Sequence, residues 1–133
     1  MTTTTEIAVG TELPALRIEP ISRATLALFA GASGDHMPIH IDSDVAKKFG
    51  YDDVFAQGML SMAYLGRLLT DWVPPHKIRS YRVRFTAVTP LYAEPTCTGR
   101  VTDITDGVAT LELTVTLADG TVTLRGDATV DIS

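Results

Sequence analysis

One stretch constrains the fold more than any other. In residues 57–72, Met59, Leu60, Met62, Ala63, Tyr64, Leu65, Leu68 and Leu69 leave a helix apolar on nearly every face. Such a helix is buried and needs cover on most sides. Pro74 and Pro75 end it, because consecutive prolines cannot continue the backbone ladder. The segments that follow can supply the cover. Tyr81, Val83, Phe85 and Ala87 alternate with Arg82, Arg84 and Thr86, the period of a strand with one buried face. Residues 96–105 form a second strand, closed by the turn pair Asp106-Gly107. Leu111, Leu113, Val115 and Leu117 alternate with Thr110, Glu112, Thr114 and Thr116, and Asp119-Gly120 closes that strand. Val122, Leu124, Ala128, Val130 and Ile132 form the last one, with Gly126 and Asp127 marking a bulge or a close backbone approach.

Upstream, residues 16–19 read as a short irregular strand. Residues 21–30 read as a helix with Ser22 as its N-cap, stopped by Gly31 and Gly34. Asp42 caps a short helix over 44–49 that Gly50 stops. Helices therefore precede an antiparallel meander. That order predicts an α+β fold in which a curled antiparallel sheet wraps a long central helix. Residues 1–133 are expected to be one domain, with a frayed polar lead over residues 1–6.

Composition narrows the function. Eleven Lys and Arg against sixteen Asp and Glu give a net charge of −5, with no basic block. Nucleic acid and anionic membranes are poor partners for such a chain. No apolar run approaches the ~18 residues of a membrane span. The opening MTTTTEIAVG has neither a cationic start nor a long apolar core, so no secretory signal is expected. Cys97 is the single cysteine, so an intrachain disulfide and a multi-cysteine zinc site are excluded. A reducing, cytoplasmic setting is the expectation.

The segment Ala32-Ser33-Gly34-Asp35-His36-Met37-Pro38-Ile39-His40-Ile41-Asp42 carries the chemistry. Asp35 and His40 stand five residues apart. In a helix they would diverge, whereas around the Pro38 turn they can meet at one water as a general acid/base pair. Taken singly, Asp35 also reads as a helix cap and His40 as a packed loop residue. Asp35, His36, His40 and Asp42 could in principle hold a metal ion, but the helical H-E-x-x-H spacing is missing. Phe55-Ala56-Gln57-Gly58-Met59-Leu60 then places Gly58 where the buried helix opens. The unpaired first-turn N–H groups and the helix dipole make that end a donor site for a carbonyl gaining negative charge.

These two segments, ASGDHMPIHID and AQGML, resemble the MaoC-like (R)-specific enoyl-CoA hydratase family of the hot-dog fold, and YRVRFTAVTPLY resembles its R-F-x-x-P-V strand. The resemblance implies a hydro-lyase that reversibly hydrates trans-2-enoyl-CoA thioesters to (3R)-hydroxyacyl-CoA. It implies Asp35 and His40 as the catalytic pair and the Gly58 N–H as the oxyanion donor. It implies edge-to-edge pairing of two chains, as a homodimer or as a heterodimer with a related hot-dog chain. Neither a metal nor a redox cofactor is implied, coenzyme A being part of the substrate. Three positions depart from the pattern. Met37 stands where Asn is usual and can brace the loop, Gln57 stands where His is common, and Leu91-Tyr92-Ala93-Glu94 replaces a Gly-Asp turn.

Substrate contacts are expected from Met37, Pro38, Ser61, Met62, Gly66 and Arg84. Gly58, Met62 and Gly66 share a helix face, either for close packing on the sheet or as an acyl channel wall. Arg79, Arg82 and Arg84 either meet coenzyme A phosphates or form a solvated sheet face. His36 and His76 read as solvent-facing, Asp52 and Asp53 as surface-turn residues, and Cys97 as inert packing. Two other functions use the same features. One is a hot-dog acyl-CoA thioesterase, and the other is a non-catalytic subunit of a heteromeric hydratase. An acyl-carrier-protein thioester is an alternative substrate that would need a basic docking patch.

Overall fold

A computed structural model describes residues 6–133; the expected frayed lead falls almost entirely on residues 1–5, outside the described residues. The order is β1 (Leu16–Arg17), α1 (Arg23–Ser33), α2 (Ser43–Lys48), α3 (Gly58–Trp72), β2 (Ile78–Phe85), β3 (Thr96–Thr105), β4 (Val108–Thr116) and β5 (Val122–Asp131). The strands form one antiparallel sheet in the order β1-β3-β4-β5-β2. The sheet curls around α3 in the hot-dog arrangement.

Alternation makes this core. On β4, Ala109, Leu111, Leu113 and Val115 are fully buried while Glu112 between them is exposed. Cys97 and Val101 on β3 and Leu124, Ala128 and Val130 on β5 share that inner face. Leu65, Leu68, Leu69 and Trp72 of α3 pack onto it. Leu60, at the other end of α3, joins a smaller cluster with Ile21, Leu26, Ala46, Val54 and Ala56 beneath α1 and α2. Burial pushes the Cys97 thiol up to about 12, so it is an inert packing group.

The turns follow their chemistry. Asp106 and Gly107 both have positive φ, 51° and 76°, as a two-residue hairpin turn of type I′ requires. At Gly126 a side chain would be driven into the Arg82 carbonyl of the neighbouring strand. Gly126→Ala is therefore expected to cost roughly 1–3 kcal/mol, read as a lower denaturation midpoint at unchanged m-value.

Several boundaries differ from the sequence reading. Gly31 does not stop α1; the helix runs to Ser33, and Gly34, at φ 80°, caps it by donating its N–H to the Ala30 carbonyl. The nearest alternative, a glycine held at negative φ, gives no such stop. The strand expected over 81–87 begins at Ile78 and ends at Phe85, and the short first strand keeps only Leu16 and Arg17. The central helix is not covered all round. Met59 is 56% exposed, and Ala63 and Arg67, four and eight residues on, are exposed with it. One sheet covers one side of a helix, so this stripe faces outward from the single chain.

Candidate functional site

The helix stop at Gly34 releases the chain into the loop that carries the pair. Asp35 accepts a hydrogen bond from the Met37 N–H on Oδ1 (3.3 Å), and its own N–H donates to Ser33 Oγ (3.2 Å). Pro38 opens a single 3₁₀ turn, Pro38–His40, in which the His40 N–H donates to the Met37 carbonyl (3.0 Å). This turn folds the five-residue spacing back on itself. It brings Asp35 Oδ2 to 4.0 Å from His40 Nε2. Asp42 is committed elsewhere, capping α2 through the Asp44 and Val45 N–H groups. Among the described residues no group of three or more His, Cys, Asp or Glu side chains comes together as a metal-binding cluster.

His40 is nearly buried, at 8% exposure. Its Nδ1 lies 2.8 Å from the Phe55 carbonyl, and the Phe55 ring meets the imidazole edge-on at 4.9 Å. A carbonyl only accepts, so Nδ1 carries the proton and donates. In the neutral ring Nε2 then holds the free lone pair, and it is Nε2 that faces the Asp35 carboxylate. A gap of 4.0 Å is too long for a direct hydrogen bond. It suits one water about 2.8 Å from each group.

Phe55 is thus a positioning residue that the sequence reading missed. A backbone carbonyl contact leaves no side-chain signature in a sequence. The loop carrying Phe55 is anchored by a bidentate pair between Arg23 of α1 and Asp53, at 2.8 and 2.7 Å. The Arg23 guanidinium, with the Val54 N–H, holds the Asp53 carboxyl well below the usual carboxylate range. Asp53 is therefore a tie between α1 and the site loop, not decoration of a surface turn.

Gly58 opens α3 as expected. Gln57, its N-cap, does not cap with its side chain; the buried Gln57 amide donates to the Leu26 carbonyl instead (3.1 Å). Of the first-turn N–H groups, that of Leu60 donates to the Gln57 carbonyl (3.0 Å), and those ahead of it, at Gly58 and Met59, have no acceptor within the helix. A side chain at Gly58 would come within 3.0 Å of the Phe85 ring, so glycine keeps this approach open. Beside it lies a mostly apolar cavity of about 380 Å³, lined among others by Phe55, Gly58, Ser61, Phe85, Val88 and Thr89. Buried Ser61 and Thr89 share one long hydrogen bond of 3.4 Å there. Phe55 links this cavity to the Asp35–His40 pair, which stands outside its lining. A larger groove of about 580 Å³ lies over β3 and β4, lined by Glu12, Arg100 and Glu112 among others, away from the pair.

The remaining expected contacts divide. Met37 (55% exposed) and Pro38 lie on the loop between Asp35 and His40. Ser61 reaches the cavity, but Met62 and Gly66 do not line it. The Met62 carbonyl accepts a hydrogen bond from Tyr81 Oη (2.6 Å), and a side chain at Gly66 would meet the Tyr81 ring at 3.5 Å, an ordinary contact distance. Met62 and Gly66 therefore lie against β2. Arg84 is exposed on the outer side of the sheet. His36 and His76 are exposed, as expected.

Comparison with known proteins agrees with the fold and with the family resemblance. A family model described as a MaoC like domain matches residues 4–120. The 3-oxo-4,17-pregnadiene-20-carboxyl-CoA hydratase beta subunit of Mycobacterium tuberculosis is 31% identical over 108 residues, 79% of this chain and 81% of that protein. An (R)-specific enoyl-CoA hydratase of Rhodospirillum rubrum is 32% identical over 114 residues, 83% of this chain and 78% of that one. The crystallised (R)-hydratase from A. caviae, at 23% identity, superposes with a TM-score of 0.86 over 98% of this chain and all of that chain (100%).

Proposed function

The chain belongs to the MaoC-like domain family, whose activity is of the hydratase/dehydratase type, and from that premise we propose that it hydrates trans-2-enoyl-CoA thioesters to (3R)-hydroxyacyl-CoA. The observation that carries the proposal is the facing of Asp35 Oδ2 and His40 Nε2 across 4.0 Å, with His40 Nδ1 tied to the Phe55 carbonyl. Two acceptor atoms at that separation hold one water and leave its oxygen free to attack.

In this mechanism the water bridges Asp35 and His40 and its oxygen bonds to C3 of the enoyl group. The pair takes one proton from it. The C2=C3 electrons move through C2 onto the thioester oxygen, which the Gly58 N–H receives as an enolate. The enolate collapses as a proton is delivered to C2, and the pair returns to its starting state. The chain's own groups suffice for this proton transfer; no metal or redox cofactor takes part in the proposal. The cavity beside Gly58 holds the acyl group, with Ser61 in its wall.

A second chain is part of the proposal. Of the two sheet edges, β1 spans two residues and β2 spans eight. An eight-residue edge with unpaired backbone groups is a template for another strand, so β2 is the edge expected to pair, with a copy of this chain or with a related one. The relative described as a beta subunit supports the heteromeric form. Sedimentation of the purified chain alone and with a candidate partner distinguishes them.

The direct test of the activity is loss of the enoyl absorbance of crotonyl-CoA, run beside a free-thiol assay. Hydration without thiol release is the expected result. Thiol release without hydration would replace the proposal by a thioesterase, and activity only with a partner present would make this chain a subunit.

Met37 has no hydrogen-bonding side chain to brace the loop, and most of it is exposed. Met37→Asn is expected to keep or raise crotonyl-CoA turnover. A large loss would mark Met37 as a specific substrate contact.

A further inference from the structure

The outer face of the sheet has a regular charge pattern broken in one place. On one rung Arg100 of β3, Glu112 of β4, Asp127 of β5 and Arg82 of β2 lie side by side. Their charges cancel through the pairs Arg100–Glu112 (3.7 Å) and Arg82–Asp127 (3.1 Å). Arg79 is likewise matched by Asp131 (3.1 Å). The next outward-facing rung has no acid in it. It reads Thr98, Thr114, Arg125 and Arg84 across the same four strands. Arg84 and Arg125 are direct cross-strand partners, both exposed, and neither has an ion-pair partner among the described residues.

Like charges placed directly opposite destabilise a sheet. A chain of net charge −5 has acids to spare, yet none neutralises this pair while three neighbouring arginines each have one. The two side chains border a groove of about 430 Å³ with Arg82 and Asp127. Asp127 in that groove is paired with Arg82, so Arg84 and Arg125 line it without a carboxylate of their own and suit a phosphate or diphosphate, which each guanidinium can grip bidentately.

The position relates the groove to the candidate site. The adjacent rung of the same ladder is Phe85 and Leu124, which face inward and line the cavity at Gly58. Past the end of β2, Thr86 and Val88 also line that cavity. Arg84 and Arg125 thus stand one rung along the ladder from two cavity-lining residues, on the opposite face of the sheet and close to the strand end that Thr86 and Val88 continue.

We propose that Arg84 and Arg125 together form the subsite for the nucleotide phosphates of the acyl-CoA substrate. The inference rests on the acyl-CoA reading above. It adds Arg125, which the sequence does not single out, and makes the pair rather than Arg84 alone the recognition element.

Calorimetric titration of the intact chain with CoA, pantetheine and inorganic pyrophosphate tests it. CoA is expected to bind about tenfold or more tightly than pantetheine, and R84Q and R125Q each to weaken CoA about tenfold. R125E is the decisive variant. It puts an acid opposite Arg84, so it is expected to raise Tm by roughly 1–3 °C while removing the advantage of CoA over pantetheine. A merely structural role would not move stability and CoA affinity in opposite directions. Equal binding of CoA and pantetheine by the unaltered chain overturns the inference, as does wild-type CoA affinity in R125E. Tight pyrophosphate binding without CoA binding also overturns it, assigning the pair to a free phosphate anion. Turnover of crotonyl-CoA and crotonyl-pantetheine keeps the two readings apart. If neither is hydrated, with or without a partner chain present, the hydratase reading fails while the titration still decides the subsite.

Discussion

Asp35→Asn and His40→Ala are each expected to lower kcat/KM for crotonyl-CoA hydration by about 10²–10⁴ with Tm near the wild-type value. The amide of D35N keeps the size of the carboxylate and can still accept from the Met37 N–H, as Asp35 Oδ1 does (3.3 Å). What it loses is the charge on the oxygen facing His40. H40A removes the lone pair at Nε2 and leaves the Phe55 carbonyl without its donor. That orphaned acceptor sits beside a partly exposed loop, where water can replace the lost bond, so the fold is expected to survive. Loss of activity in both variants with native circular dichroism supports the shared-water mechanism. Near-native turnover by either folded variant would falsify it. A His40→Asn variant sharpens the test, because its amide nitrogen takes the place of Nδ1 and can still donate to the Phe55 carbonyl but supplies no base at the Nε2 position.

The largest effect on stability is expected at Leu65. It has no exposed surface and sits mid-way along α3 against the inner face of the sheet. Leu65→Ala removes packing from a site walled by strands that cannot close in without breaking their own ladders. A loss of about 2–5 kcal/mol follows, with a Tm fall of at least roughly 6 °C. Met59→Ala on the same helix is the control. Met59 is 56% exposed, and its loss is expected to change stability by less than about 0.5 kcal/mol. Equal losses at the two positions would mean that the outward stripe of α3 is covered in solution, pointing to a partner chain on that face.

The contrast between Leu65 and Met59 shows where sequence reading stops. Both are apolar residues on one apolar helix, and hydropathy treats them alike. Which one is buried depends on the side from which the sheet arrives. Turn chemistry was more legible. Asp106-Gly107 closes β3 onto β4 because both residues tolerate positive φ. Ser22 and Asp42 cap their helices because a short oxygen-bearing side chain reaches the first free N–H groups. Gly31 misled because a glycine inside a helix costs about 1 kcal/mol, which the rest of the helix can bear, and does not end it unless φ turns positive.

The candidate site divides the same way. The approach of Asp35 to His40 and the place of Gly58 at the opening of α3 were legible, because the Pro38 turn and a helix start are local geometry. Met62 and Gly66 were not, because i, i+4 spacing specifies a shared helix face but not its neighbour, here the Tyr81 ring. The sequence by itself determined the elements, their caps and turns, the alternation that builds the inner face, and the loop that folds Asp35 toward His40. These are interactions between residues near one another along the chain. Tertiary structure alone decided the bond from His40 to the Phe55 carbonyl, the Arg23–Asp53 tie, the open stripe on α3 and the juxtaposition of Arg84 with Arg125. The three contacts among them join residues 15 to 41 positions apart, and strand register and helix docking, set by packing of the whole core, determine which distant groups meet and which helix face stays open.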